Sequence, residues 1–128
     1  IDYNGSFNIS GGFLVASGTN SNMTQAPSNS STQYSVRITY RSSQAAGALF
    51  HIQDAEGNDL VTFAPVRKYQ SMVFSSPALI KGATYTIYKS GTSTGTVNNG
   101  LYAGGAYSPG TEAGNFTIGN SVTNLSNL

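Results

Sequence analysis

The chain has 128 residues, six Lys and Arg against five Asp and Glu, one His and no Cys. The near-neutral charge, with basic residues scattered from Arg37 to Lys89, excludes the clustered cations of a nucleic-acid surface. The absence of Cys excludes disulfides and thiolate chemistry, and no run approaches the roughly 20 apolar residues of a membrane-crossing helix.

In chain order, the first signal is Asn4 to Gly18, which reads NGSFNISGGFLVASG and carries no charge. Two apolar bursts, Phe7–Ile9 and Phe13–Val15, flank Ser10-Gly11-Gly12 and predict two short strands. The stretch from Gly18 to Gln33, with Pro27 and several Ser, reads as a loop. Tyr34 to Tyr40 is the clearest strand. Tyr34, Val36, Ile38 and Tyr40 fall on one face and Ser35, Arg37, Thr39 and Arg41 on the other, which predicts one buried and one wet face. Ala48–Gln53 and Leu60–Phe63 flank the polar turn Asp54–Asp59, whose Gly57 suits positive φ, and together they predict a hairpin. Pro65 ends the second arm. Further strands are predicted at Tyr69–Ser75, Thr84–Tyr88, Thr96–Val97, Leu101–Tyr102, Phe116–Ile118 and Val122–Leu125. No segment has a 3.6-residue period. The expected fold is all-β, a β-sandwich or jelly-roll-like domain with short strands and Gly/Ser-rich loops. Residues 1–18 are expected as a separable strand segment and residues 19–128 as the sandwich. The start at Ile1 predicts a processed protein or a fragment.

Several of these stretches carry a resemblance. NISGGFLVASG, NMTQAPSNSSTQYS, the run from Ala46 to Gly91, and GLYAGGAYSPGT resemble the C-terminal region of bacterial cell-surface carbohydrate-binding-domain-containing proteins. In that family a calcium-binding right-handed parallel β-helix comes first, and a representative binds polygalacturonate. The resemblance implies a cell-surface, non-catalytic protein. Sugar and calcium binding there belong to the β-helix that precedes the similar region. Only a rung-like IDYNGSFNISGG remains here, so no binding residue carries over. Three fates are therefore open to the strands of residues 1–18: pairing inside the domain, which is the plain reading, stacking as a last β-helix rung, or entering another copy as a donor strand.

The residues themselves offer little catalytic chemistry. His51 stands alone between Phe50 and Ile52, on the opposite face, and reads as solvent-facing or as a hydrogen-bonded structural His. Glycoside hydrolysis needs two carboxylates flanking the bond, but Asp54, Glu56 and Asp59 crowd into one turn. That turn, with Asn58, offers oxygens to Ca²⁺, yet it is shorter than an EF-hand loop and reads as a solvated turn. No enzyme activity, metal or cofactor is expected. Six Asn-x-Ser/Thr tripeptides, at Asn4, Asn8, Asn22, Asn29, Asn115 and Asn124, match the glycosylation pattern as often as so Asn- and Ser-rich a chain does by chance. Tyr102 and Tyr107, set among glycines, are candidate sugar-stacking rings, the plainer reading being that they cover the core edge. Lys89, just after an alternating strand of a Cys-free chain, is the candidate for a Lys–Asn or Lys–Asp isopeptide bond.

An apolar strand without Lys or Pro is hazardous unpaired, and both ends of this chain, the second reading NFTIGNSVTNLSNL, are free of charge. The leading expectation is therefore an extracellular filament or scaffold subunit whose partners are other copies of itself. Phe7, Ile9, Phe13 and Val15 are the side chains expected to insert into a neighbour. The alternative is a carbohydrate-binding module for plant-wall polysaccharide.

Overall fold

Period-two alternation and frequent turn residues give twelve short strands in the computed structural model, which describes residues 12–18, 32–108, 110–126 and 128. They are β1 (Leu14–Gly18), β2 (Ser35–Gln44), β3 (Phe50–Asp54), β4 (Asp59–Phe63), β5 (Tyr69–Ser75) and β6 (Thr84–Lys89), followed by β7 (Thr92–Ser93), β8 (Thr96–Asn98), β9 (Leu101–Ala103), β10 (Tyr107–Ser108), β11 (Thr111–Thr117) and β12 (Val122–Leu125). The described residues form no helix, and so none long and apolar enough to cross a membrane.

The strands build a β-sandwich. One sheet has the order β1-β5-β2-β12 and the other β11-β6-β3-β4-β9-β8, while β7 and β10 pair as a small ribbon. In the four-stranded sheet β1 and β2 are antiparallel to β5, and β12 is parallel to β2. β1, β2 and β12 therefore run the same way.

Val36, Ile38 and Tyr40 of β2 and Met72 and Phe74 of β5 fill the core from one side. Phe50 and Ile52 of β3, Val61 of β4, Tyr85 and Ile87 of β6, and Phe116 of β11 meet them from the other. The Tyr85 and Phe116 rings stack at 5.4 Å. Each such aliphatic side chain contributes about 1.5–3 kcal/mol by leaving water, which gives these short ladders their stability.

One sequence expectation changes. The face of β2 expected to be wet is graded: Arg41 is exposed and Arg37 and Thr39 are half-buried, but Ser35 is fully buried. β5 is buried on both faces, with Ser71, Val73 and Ser75 as inaccessible as Met72 and Phe74. Within the expected strand segment of residues 1–18, β1 pairs with β5 in the four-stranded sheet.

The hairpin pairings define two ends of the sandwich. Phe50, Phe63, Lys89 and Leu101 are aligned at one end, where the Gly47 N–H donates to the Pro65 carbonyl at 2.8 Å. Tyr69 joins them there, its hydroxyl donating to the Ala48 carbonyl at 2.8 Å. Asp54 and Tyr85 are paired at the other end, with Thr84 opposite Thr117 beside them.

Candidate functional site

The hairpin register places His51 opposite Thr62 on one side and Tyr88 on the other, all on the outward face of the six-stranded sheet. His51 is fully buried there, not solvent-facing as one expectation had it. What covers it is the segment that leaves β6, passes through β7 to β10 and returns to β11. Gly91, at φ 84°, and Gly105, at φ 65°, allow this arm to close. A Cβ on Gly105 would overlap the backbone of Gly95, so no other residue fits that crossing.

The arm lays the Tyr107 ring flat on the imidazole, with centroids 3.7 Å apart and planes 15° apart. The Tyr107 hydroxyl donates to the Ser90 carbonyl at 2.7 Å. Burial pushes the Tyr107 phenol above its ordinary value, opposed by the Gly110 N–H it accepts. Thr62 Oγ1 lies 2.6 Å from His51 Nδ1. Asp59 Oδ1 lies 3.2 Å from Nε2 but off the hydrogen-bond line, so that this nitrogen has no aligned partner among the described residues. Burial pushes the His51 pKa down, and the nearby Asp59 carboxylate pulls it back only in part. The imidazole is therefore neutral at neutral pH.

Thr62, His51 and Asp59 follow one another as a nucleophile, base and acid would. The ring face is nonetheless closed by Tyr107, and Thr62 is 7% exposed. The arrangement binds the arm to the sheet. A cavity of about 160 Å³ beside it is lined by Asp59, Thr62, Ser93 and Tyr102 among others.

The sequence-predicted residues do not converge. Phe7 and Ile9 lie outside the described residues. Val15 pairs with Phe74 of its own chain, and Phe13 meets the Phe74 ring edge-on at 5.4 Å while remaining 48% exposed. Both therefore pack within their own chain here, and β1 is an edge strand among the described residues. Tyr107, a candidate sugar-stacking ring, has one face taken by His51, while Tyr102 is half-buried beside the small cavity. Lys89 ends β6 opposite Phe50 and Thr111.

In the turn, the Asp54 carboxylate accepts the N–H groups of Glu56 at 3.0 Å and Asn58 at 2.8 Å. These bonds, that of Asn58 first, hold the Asp54 carboxyl below its ordinary value. Its oxygens thus brace the turn, and no group of three metal-ligating side chains gathers among the described residues. The stack of Tyr107 on His51 escaped the sequence reading, although the hairpin register alone pairs His51 with Thr62.

Comparison of the chain with protein-family models, with curated proteins and with solved structures finds no match.

Proposed function

We propose that the protein is a non-catalytic structural subunit of an extracellular filament or surface scaffold, assembled by strand pairing between copies. One observation carries this reading: β1 and β12, neither bearing a charged side chain, are the two edges of one four-stranded sheet among the described residues. An edge presents unpaired N–H and C=O groups, and proteins commonly protect it with Lys or Pro. Because β1 and β12 run in the same direction, a neighbour related by translation alone would set its β1 parallel to β12. Such a contact uses different surfaces on the two copies and leaves the next edge open, which is the geometry of a filament. Backbone hydrogen bonds would hold the ladder and the side chains would fix its register. Phe7 and Ile9 would extend the paired segment beyond β1.

The test places a charge on each edge. Ser17 and Asn124 are both exposed, so Ser17→Lys with Asn124→Lys is expected to abolish polymers in sedimentation and electron microscopy. The unfolding free energy should stay within about 0.5 kcal/mol of the parent, as for ordinary surface changes. Polymers that persist unchanged would refute edge pairing.

A second reading rests on the cavity that Tyr102 shares with Asp59, Thr62 and Ser93, a ring wall with polar groups suited to sugar hydroxyls. Polysaccharide pull-down by a chain that never assembles would favour it.

A further inference from the structure

Among the described residues, basic side chains gather at one end of the sandwich and acidic ones at the other, with Glu112, opposite Tyr88, the exception at the basic end and Lys81 the exception at the acidic end. At the Phe50–Phe63 end a loop runs from Ala64 to Lys68. Its Val66 is 86% exposed, with Arg67 and Lys68 exposed after it. Pro65 behind it is buried, has a fixed φ, and is tied through its carbonyl to the Gly47 N–H. The result is a preformed apolar knob with two cations at its base. Lys89 ends β6 at the same end.

The opposite end carries Asp54, Glu56 and Asp59, three of the five carboxylates in the chain. There a groove of about 520 Å³ is lined by Asp54, Glu56, Leu60, Ile80, Ala83 and Tyr85 among others. Ile80 is 62% exposed on its rim. Tyr85 is buried, its hydroxyl donating to the Ala78 carbonyl at 3.1 Å and accepting the Ile80 N–H at 2.9 Å. The Asp54 turn is braced by its own hydrogen bonds. Both walls are thus set before anything binds, which lowers the ordering cost of docking. Lys81 is at this end too, but it lines a separate hollow with Tyr34 and Asn124.

We propose that the knob Val66-Arg67-Lys68 of one copy docks in the Asp54–Tyr85 groove of the next. Val66 enters between Leu60 and Ile80, and Arg67 and Lys68 face Asp54 and Glu56. The occupant is a second copy because knob and groove match in charge and polarity and both belong to this chain. Since they lie at opposite ends, the contact cannot close on itself within a pair and propagates end to end. It is small and charge-dependent, and so individually weak. This rests on the reading that the chain assembles with itself, and adds an axial contact to the lateral one between edges.

Charge reversal tests it. Lys68→Glu and Glu56→Lys alter exposed side chains that make no hydrogen bond among the described residues. Each variant alone should need about tenfold more protein than the parent for end-to-end association in sedimentation velocity. An equal mixture should recover the parent behaviour, because the acidic knob of one variant meets the basic-lipped groove of the other. Val66→Ser should weaken association without altering charge. Single variants that associate like the parent, or a mixture no better than either alone, would overturn the axial contact while leaving edge pairing intact. Loss of polymers with Ser17→Lys and Asn124→Lys together with full indifference to charge reversal would do the same. A parent chain that stays monomeric at every concentration would overturn both.

Discussion

A neutral imidazole sealed beneath a tyrosine is the residue on which the outward face of the six-stranded sheet turns. Unfolded, His51 titrates near 6.5; folded, burial holds it lower despite Asp59. Between those two values the unfolded chain binds the extra proton, so stability rises with pH across that window. The full contribution is present above about 6.5 and is lost as pH falls through the folded value. Chemical denaturation at a series of pH values should therefore show stability falling from pH 7 towards 5. His51→Phe should flatten that slope while costing about 1–3 kcal/mol at pH 7, because Thr62 loses its buried partner. Asp54 acts in a separate window. Its folded carboxyl lies below 3.8, so its contribution persists at pH 5 and goes only in stronger acid. Tyr40 shows a different residue-level compromise: its hydroxyl is buried without a hydrogen-bond partner among the described residues, and burial, then the neighbouring Tyr69, pushes its pKa up.

At the scale of elements, within the arm from Ser90 to Gly110, β9 is tied to β4, whereas the β7–β10 ribbon is held by few contacts. The Thr94 N–H donates to the Ala106 carbonyl at 3.0 Å and the Ala106 N–H to Thr94 Oγ1 at 2.8 Å, while Tyr107 anchors it to His51 and Ser90. Tyr107→Ala removes the ring pair and a hydrogen bond, together worth about 1–3 kcal/mol. Amide exchange should accelerate at Thr94 and Ala106 but not in β3 or β5, and the His51 pKa, followed by NMR, should rise towards 6.5 as water reaches the ring. Uniform acceleration across both sheets would mean that the arm is not a separate unit. This arm also marks where sequence reading stops. The alternation of β2 and the braced turn between β3 and β4 are local properties, and each is readable from a few adjacent residues. β7 and β10 are two residues each, and they form because glycines at 95 and 105 let distant backbones touch, which no periodicity reports. β11 begins at Thr111, well before the predicted Phe116, through Glu112, Ala113 and Gly114, where its pairing with β6 shifts register. Residues at such a bulge carry no clean alternation. The burial of His51 was illegible for the same reason as the arm: the ring that covers it comes from far along the chain.

Across the whole molecule the two proposed contacts would use different surfaces, the lateral one the uncharged edge strands β1 and β12 and the axial one the charged knob and groove. They differ in their response to salt, and that difference separates them. Backbone hydrogen bonds between edges would involve no net charge, whereas the knob and groove would attract through Arg67, Lys68, Asp54 and Glu56. At 0.1 M salt the Debye length is about 10 Å, and at 1 M about 3 Å, so exposed charges across the axial contact are screened at the higher concentration while apolar burial at Val66 alone is small. Raising salt to about 1 M is therefore expected to shorten assemblies along the sandwich axis and to leave lateral ones in place. Electron microscopy would then show thin lateral ribbons in place of longer bundles, and sedimentation a shift to smaller species without return to monomer. Complete dissolution at high salt would mean that charge, not strand pairing, joins the copies, and the edge contact would fall. Indifference to salt at every concentration would instead remove the axial one.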